Sequence, residues 1–479
     1  MTSHFAMKKK NTRRNSGGRK GRGDGGLPGE IGRPLKITVI GAGSNFTPRL
    51  INDVLRIPGE SGGVVALVDT DRSRLTTMKR VIGRLLDRLG KDNWRVVAAT
   101  ERRRVLKGTD YLIHCIEVSG LSCVRLDNDI PARYGVDQCI GDTIGPGGLF
   151  KALRTIPVWL EILKDAAELC PDALVLNYTN PMNMLCLAAD RCSPMRVVGL
   201  CHSVQGTSRL LAKRADVPYE QMTWECSGIN HLAWFTRLEH EGRDLYPLLT
   251  KKARADLAGR PPDPDDAGDL VRKDMMLHFG AFITESSGHL SEYLPYYRKR
   301  ADLRERYCRE RYDGESGFYA ANWPLWREEA DNRRRAMVEG RASLDWPRSY
   351  EYASWIIEAS EKDVPFRIHG NVGNRDAAGG TLIGNLPADG CVEVACMVDR
   401  SGVHPTRPGR LPPQMAALCD ANMRMFDLGA EAAVQKSREL AVQALYLDPL
   451  TAAVCSPAEI RKMADELFEA EADFLPGYR

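Results

Sequence analysis

The chain has 479 residues, of which 43% are hydrophobic and 27% charged, and this composition excludes a disordered chain, a fibrous repeat and a small disulfide scaffold. At roughly 150 residues per domain, its length predicts two or three domains. The net charge is +4, but residues 1–34 hold nine Lys and Arg against two acidic residues, so the remainder is net negative and a nucleic-acid-binding face is not expected.

Residues 1–34 form a tail rich in Gly and basic residues. Few large apolar side chains are available to offset the entropy of ordering, so we predict a disordered tail. Its composition favours a solvated leader over a nucleic-acid-binding arm. No apolar run before Leu35 is typical of a secretory signal, and no later segment reaches the roughly 20 apolar residues of a membrane span, so we expect neither export nor a membrane partner.

The 13 cysteines are scattered along the chain without a CxxC pair. An odd number without paired spacing disfavours a disulfide scaffold and predicts a reducing, cytoplasmic location. Most of these cysteines, such as Cys115 and Cys186, lie among apolar residues and are interpreted as small core side chains.

The first predicted elements form a βαβ unit. The β-branched run at 36–40 leads through a Gly turn into a helical pattern, and a second strand at 64–69 precedes a basic helix. Further strands are predicted at 94–98, 111–117, 173–178 and 196–200, alternating with helices such as 149–169. This alternation predicts an α/β fold with a Rossmann-like, doubly wound parallel sheet over residues 35–205.

The pattern changes after residue 205. Longer helices with Trp, Tyr and Pro follow, with a Pro- and Asp-rich linker at 260–269, a strand-like CVEVACMV and final helices from Met415. We therefore predict a second, mostly helical α+β domain over residues 206–479.

Gly41 and Gly43 lie between the first strand and the first helix, where helix N–H groups can bind a pyrophosphate. Asp69 ends the second strand, where a carboxylate can accept hydrogen bonds from both ribose hydroxyls of NAD. Phe46 replaces the third glycine of the usual motif. The pattern indicates dinucleotide binding, with a tight turn capped by Asp69 as the alternative.

Polar residues follow two later strands. Asn180 lies in NYTNP, at the edge where open sheets bind ligands, although Asn180-Pro181 by itself is more typical of a turn. Cys201 follows the strand RVVGL, and His231 lies in GINHLAWF. A thiolate and an imidazole can ligate a divalent metal, with a buried cysteine and a core histidine as the alternative.

Two further groups of polar residues have more than one interpretation. Asp269 and Arg272 are three positions apart, so on a helix they share a face, commonly as an exposed ion pair. The block TESSGHLSEY at 284–293 can line a sugar site or cap two helices. Spacing alone does not decide between these interpretations.

Seven sequence blocks together resemble glycoside hydrolase family four, the NAD- and manganese-dependent glycosidases. In chain order they are KITVIGAGSNFTPRL, GDTIGPGG, NYTNPMN, GLCHSVQGT, GINHLAWF, TESSGHLSEYLPYY and GNLPADGCVEV. The tetrapeptide CHSV is similar to the α-galactosidase (melibiase) branch, whereas phosphoglycoside members have an acidic or amide residue after the cysteine.

The resemblance implies a role for individual residues. The residues implied to bind NAD are Gly41, Gly43, Ser44, Asn45, Phe46 and Asp69. Cys201 and His231 would ligate Mn²⁺, and the sugar contacts would come from Asp142, Asn180 and Arg272. Asp269 corresponds to the base, and His202 occupies the position of the acid in phosphoglycoside relatives, so the catalytic candidates are Asp269, Cys201 and His202.

The resemblance also implies a reaction, the hydrolysis of a small-molecule α-galactoside by oxidation at carbon 3, elimination, water addition and re-reduction. Residues 206–479 would then bind substrate and hold a homodimer or homotetramer together. The alternatives that stay open are an α-glucosidase, an α-glucuronidase or an α-galacturonidase of the same family, and an NAD-dependent sugar dehydrogenase.

Overall fold

The computed structural model describes residues 25–263 and 266–479. The first 24 residues of the predicted tail lie outside this range. Residues 25–34 correct the prediction of disorder, because they are held against the folded chain. The backbone N–H of Leu27 donates to Glu358 at 2.8 Å, and Ile31 is buried in the main apolar core.

Six parallel strands form the sheet of the first half. They are β1 (Leu35–Ile40), β2 (Gly63–Val68), β3 (Trp94–Ala99), β4 (Tyr111–His114), β5 (Leu174–Asn177) and β6 (Arg196–Gly199). Their order, β3-β2-β1-β4-β5-β6, is that of a Rossmann sheet, so the predicted fold class is confirmed. Their Val-, Ile- and Leu-rich sequences suit strands covered on both faces.

The helices between these strands cover both faces of the sheet. They are α1 (Thr47–Leu55), α2 (Arg72–Leu89), α3 (Arg103–Leu106), α4 (Leu126–Arg133), α5 (Gly145–Leu169), α6 (Met182–Cys192) and α7 (Ser203–Ala215). Local sequence sets the ends of α2, since Asp71 accepts a hydrogen bond from the Arg74 N–H and Gly90 takes the left-handed conformation at φ 63°.

The second half extends the same sheet with antiparallel strands. They are β7 (Met222–Ile229), β8 (Leu232–His240), β9 (Arg243–Asp244), β10 (Phe282–Ile283), β11 (Phe366–Gly373), β12 (Cys391–Asp399) and β13 (Gly402–Pro405). The hairpin β11–β12 lies between β6 and β7. Asn371 pairs with Gly199 of β6, and Glu393 pairs with Gly228 of β7.

The remaining helices are α8 (Tyr246–Leu257), α9 (Leu270–Phe279), α10 (Ser287–Glu292), α11 (Ala301–Tyr307), α12 (Phe318–Val338), α13 (Tyr352–Lys362), α14 (Pro413–Gln435), α15 (Arg438–Leu447), α16 (Pro449–Val454) and α17 (Pro457–Ala470). Two of them return to the first half, since α12 packs against α2 and α13 against α1. Within the described residues, no helix is both long and apolar enough to cross a membrane.

The two halves are therefore closely joined. The predicted boundary after residue 205 falls inside α7, because this helix begins soon after β6 and runs to Ala215. A buried ion cluster also links the halves: Arg154 of α5 lies 2.6 Å from Asp127 of α4 and 3.0 Å from Glu471, which follows α17.

Candidate active site

The carboxyl ends of the parallel strands open into one cleft of about 390 Å³. Of the residues predicted from the sequence, those that line it are Gly41, Gly43, Ser44, Asn45, Phe46, Asp69, Asp142, Asn180, Cys201, His202 and His231. These residues converge because parallel strands end at the same edge of a sheet.

Two glycines in the turn after β1 lie close to neighbouring atoms, and glycine is required at the first, Gly41. Gly41 has a φ of 80°, and a Cβ there would lie 2.3 Å from the carbonyl oxygen of Cys115. A Cβ on Gly43 would lie 2.8 Å from Asp69 Oδ2, the same atom that accepts a hydrogen bond from the Gly43 N–H at 2.7 Å. The turn and the end of β2 are thus in direct contact.

The N-terminus of α1 faces the same cleft. Its N-cap residue, Phe46, makes no side-chain capping hydrogen bond, and no acidic residue lies in the first turn. The Phe46 N–H donates to Ser44 Oγ at 3.2 Å, and the Thr47 N–H to the Ser44 carbonyl oxygen at 3.3 Å. Among residues 44–48 that the structure describes, the Asn45 N–H therefore remains for an anion, which the helix dipole also favours. The turn, the uncapped helix end and Asp69 together fit a dinucleotide.

Cys201, His231 and Glu285 form a cluster of three metal-ligating side chains. The Cys201 Sγ lies 3.4 Å from His231 Nε2, which in turn lies 3.7 Å from Glu285 Oε2. One ligand atom from each residue lies within 4.8 Å of the other two. Both His231 and Glu285 have left-handed backbones, with φ values of 66° and 71°, a strain often found at functional sites.

The surroundings of this cluster set its protonation. Burial lowers the pKa of His231 to about 4, so the imidazole is neutral and can donate a lone pair. Burial and the carboxylates of Glu285 and Glu393 raise the pKa of the Cys201 thiol well above its ordinary value. Burial alone would raise the pKa of Glu285, but the imidazoles of His231 and His289 outweigh it and lower this pKa. A cation among these atoms would favour the thiolate.

Asp142 is the central polar residue of the cleft floor. It accepts a hydrogen bond from Asn180 Nδ2 at 3.2 Å and lies 3.9 Å from Lys151 Nζ and 3.7 Å from His289 Nε2. Burial would raise its pKa, but His289 and Lys151 outweigh burial and hold the pKa below its ordinary range. Lys151 also pairs with Glu117 at 2.7 Å. Asp142 is therefore an ionised acceptor in the cleft.

The polar block at 284–293 organises this floor. Glu292 accepts hydrogen bonds from the backbone N–H groups of Cys139 and Ile140, both at 2.6 Å, just before Asp142. His289 Nδ1 lies 3.3 Å from Glu285, and its Nε2 faces Asp142. The block that the sequence left open thus supplies a candidate metal ligand and the support for Asp142.

The arrangement of the seven sequence blocks agrees with two matches to known families. The model described as Family 4 glycosyl hydrolase matches residues 36–217, and that of the Family 4 glycosyl hydrolase C-terminal domain matches residues 226–451. The chain belongs to family 4 of the glycosyl hydrolases. The resemblance predicted from the sequence is confirmed.

Two curated proteins similar to this chain are α-galactosidases. The one from Bacillus subtilis (strain 168) is 37% identical over 458 residues, which cover 93% of this chain and 100% of the relative. The one from Rhizobium meliloti (strain 1021) is 36% identical over 470 residues, which cover 93% of this chain and 90% of the relative.

A solved structure supports the family-4 fold. The 6-phospho-α-glucosidase from gut microorganisms, crystallised in complex with NAD and Mn²⁺, has a TM-score of 0.75 to this chain at 22% identity. The match covers 93% of this chain and 100% of the other. At this identity the likeness concerns the fold.

Asp269 and Arg272 are not among the described residues that line the family-4 cleft. Asp269 precedes α9 with a φ of 62°, and its carboxylate lies 2.6 Å from Arg272 Nε and 2.9 Å from Arg214 Nη1. Burial would raise its pKa, but Arg272 and Arg214 outweigh burial and lower the pKa to about 2. In this geometry Asp269 is a weak base without direct access to the cleft, because two guanidinium groups hold its carboxylate.

His202 does line the cleft, at the start of α7. Its Nδ1 lies 3.9 Å from Glu351 Oε1, and both side chains are partly exposed. This position leaves the imidazole accessible to a ligand.

Several residues at the site received no individual role from the sequence. Those around Asp142 and in the metal-ligating cluster are Glu117, Lys151, Glu285 and His289. Glu285 and His289 lie in the polar block at 284–293, so a signal for them was present. Glu117 and Lys151 had none beyond their places near a strand end and in a helix.

Proposed function

We propose that this family-4 chain is an α-galactosidase that binds NAD and Mn²⁺ in the cleft. The observation that carries the proposal is that the Gly41–Gly43 turn, Asp142 and the Cys201–His231 pair line one cavity. The two α-galactosidases at 37% and 36% identity, each matched over 93% of this chain, support the substrate class.

The residues of the turn fit NAD. A side chain at Gly41 would collide with the backbone of Cys115, and one at Gly43 would displace the Asp69 carboxylate, so the turn presents bare backbone to the ligand. The Asn45 N–H and the dipole of α1 suit the pyrophosphate, and Asp69 suits the adenosine ribose. Ser44, Asn45 and Phe46 complete the turn on the cleft side.

The side chains of the Cys201, His231 and Glu285 cluster fit a divalent cation such as Mn²⁺. Carboxylate oxygen suits Mn²⁺, and imidazole nitrogen and thiolate sulfur are ligands of divalent transition metals more generally. We assign Cys201, His231 and Glu285 as its protein ligands. When bound, NAD would act as a reversible hydride acceptor, and Mn²⁺ would act as a Lewis acid.

The chain's own polar groups orient the sugar. Asp142, kept ionised by His289 and Lys151, accepts hydrogen bonds from sugar hydroxyls. The Asn180 amide beside it offers a second contact. We propose His202 as the candidate acid for the leaving group, because its side chain lines the cleft. Asp269 acts as the base only if its contacts with Arg214 and Arg272 open, because a base must reach the proton that it removes.

We also propose a cytoplasmic location, since all 13 cysteines are free. A homodimer or homotetramer and a division into an NAD-binding domain and a substrate domain complete the proposal. The segment between α7 and β7 suits the division better than residue 205, since it does not interrupt a helix.

The function is tested by release of p-nitrophenol from its α-galactoside in D₂O with NAD⁺, Mn²⁺ and a thiol reductant. We expect hydrolysis, deuterium at carbon 2 of the released galactose and no net NADH. The α-glucoside, α-glucuronide and α-galacturonide are the matched substrates, and we expect slower release from each.

Three outcomes would contradict the proposal. Net NADH in proportion to substrate would indicate a sugar dehydrogenase. Hydrolysis without deuterium, or hydrolysis that is unchanged after removal of NAD⁺ and metal, would indicate a different glycosidase chemistry in the same fold.

A further inference from the structure

Helix α12 belongs to the second half of the chain, yet one of its faces lines the cleft. The lining residues are Tyr319, Trp323, Trp326, Arg327, Ala330 and Arg334. Apart from the adjacent Trp326 and Arg327, they recur every three or four positions, which places them on one face of the helix. At 1.5 Å per residue, this face is about 22 Å long. It therefore runs along the cleft rather than touching it at one point.

The beginning of this face lies near the sugar end of the cleft. Tyr319 is buried there, and burial, with the carboxylates of Asp142 and Glu117, raises the pKa of its hydroxyl well above the ordinary value. The N-terminal part of α12 is thus close to the floor that holds Asp142.

The other end of the face contacts the glycine turn. Arg334 Nη1 donates to the carbonyl oxygen of Gly43 and to Asn45 Oδ1, both at 2.9 Å. The Arg334 side chain is only 6% exposed. Its other terminal nitrogen donates to Asp331, whose second oxygen accepts a hydrogen bond from Arg74 at 3.0 Å. A guanidinium from 291 positions along the chain therefore fixes the turn.

Arg327 lies between these two ends and has a different environment. A Cβ built on Gly120, in the loop after β4, would lie 3.4 Å from Arg327 Nη1, so the guanidinium faces that loop across the cleft. It makes neither an ion pair nor a hydrogen bond with any other residue that the structure describes. An unpaired guanidinium in a cleft is suited to an anionic ligand, phosphate above all.

We propose that α12 is the second wall of the dinucleotide site. Arg334 is a positioning residue that holds the turn from Gly43 to Asn45 in place, and Arg327 pairs with the phosphates of the dinucleotide. The inference rests on the proposed function, because it takes NAD as the dinucleotide. If α12 served only to stabilise the fold, the buried Arg334 would be explained, but Arg327 would have no partner.

Isothermal titration calorimetry of the full chain with NAD⁺ tests this inference. We expect Arg327→Ala and Arg334→Ala each to raise the Kd by about tenfold or more, as for the loss of a charge-assisted hydrogen bond. Arg335→Ala is the matched control. Arg335 is the next residue on the same helix, but it is exposed and bonds to Asn332. Its Kd should stay within about twofold of the wild-type value.

ADP-ribose separates phosphate pairing from a contact with nicotinamide. It contains the pyrophosphate without the nicotinamide ring, so Arg327→Ala should weaken it by the same factor as NAD⁺. If Arg334→Ala unfolds, as judged by circular dichroism, the result for Arg327→Ala tests the proposal by itself. The Arg327 guanidinium bonds to no other described residue, so its loss should not disturb the fold.

The failures are distinguishable. If the wild-type chain binds NAD⁺ and Arg327→Ala binds it equally well, the inference is overturned and the proposed function stands. If Arg327→Ala binds NAD⁺ more weakly but ADP-ribose as tightly as the wild type does, the proposed phosphate pairing is also overturned. If the wild-type chain does not bind NAD⁺, the proposed function fails, and the inference fails with it.

Discussion

Cys201 and His231 are 30 positions apart in the sequence, and their side chains come within 3.4 Å of each other. Each follows the end of a strand, Cys201 after β6 and His231 after β7. Glu285 joins them from the segment between β10 and α10. Two backbones in the left-handed region, those of His231 and Glu285, hold the three side chains together at a conformational cost.

Removal of a ligand should weaken metal binding directly. We expect Cys201→Ser to lower Mn²⁺ affinity by at least about 100-fold and Glu285→Gln by about tenfold, judged against the 10- to 100-fold losses known for residues beyond the ligands. Electron paramagnetic resonance of free Mn²⁺ measures both. The exposed Cys192→Ser is the control and should bind Mn²⁺ as the wild type does.

Unchanged Mn²⁺ binding in Cys201→Ser would show that this cluster is not the metal site. Unchanged binding in Glu285→Gln would restrict the protein ligands to Cys201 and His231. The isosteric glutamine keeps the size of the side chain, so a loss would reflect the carboxylate charge.

At the scale of elements, the sequence predicted all six strands of the first half but misjudged several of their ends. The strand expected at 111–117 ends at His114, because its partner β1 ends at Ile40. The chain then leaves the sheet and directs Glu117 into the cleft. The second half was harder to predict, since the pairing of β11 and β12 with β6 and β7 depends on contacts distant in sequence, which periodicity does not encode.

The ion cluster between α4, α5 and the end of α17 gives an element-scale prediction. Arg154 is fully buried between Asp127 and Glu471, so Arg154→Met leaves two carboxylates facing each other without a cation. We expect the free energy of unfolding to fall by about 3–5 kcal/mol, as measured by urea denaturation.

Two further variants check the cause of this loss. Asp127→Asn added to Arg154→Met should restore part of the stability, because it removes one of the uncompensated charges. Arg103→Met, on the exposed pair with Glu168, should leave the urea midpoint almost unchanged. A double variant no more stable than Arg154→Met would point to lost packing instead of charge.

At the scale of the whole molecule, segments distant in sequence complete each other. Residues 25–34 illustrate this point, since Leu27 contacts Glu358 of α13 and Arg33 pairs with Glu361 of the same helix. Composition predicted a disordered tail there because the partners lie more than 300 positions away. The contact of α12 with the glycine turn escaped the sequence for the same reason.

Truncation tests the N-terminal contact. A chain that begins at Leu35 loses the buried Ile31, which by itself corresponds to about 1.5–3 kcal/mol of stability. We expect a lower Tm and a lower urea midpoint than for a chain that begins at Gly25, which keeps these contacts. Equal midpoints for the two truncations would contradict the anchoring role of residues 25–34.

The hairpin β11–β12 lies between the strand that leads to Cys201 and the strand that leads to His231. One row of residues, Gly199, Asn371, Glu393 and Gly228, crosses all four strands. A chimera of two family members joined between α7 and β7 would take β6, which leads to Cys201, from one protein. It would take β7 and the hairpin β11–β12 from the other. In such a chimera, the pairing of β6 with β11 would join segments from two different proteins. We expect this pairing to determine the metal affinity, so that a chimera of two active enzymes fails to bind metal.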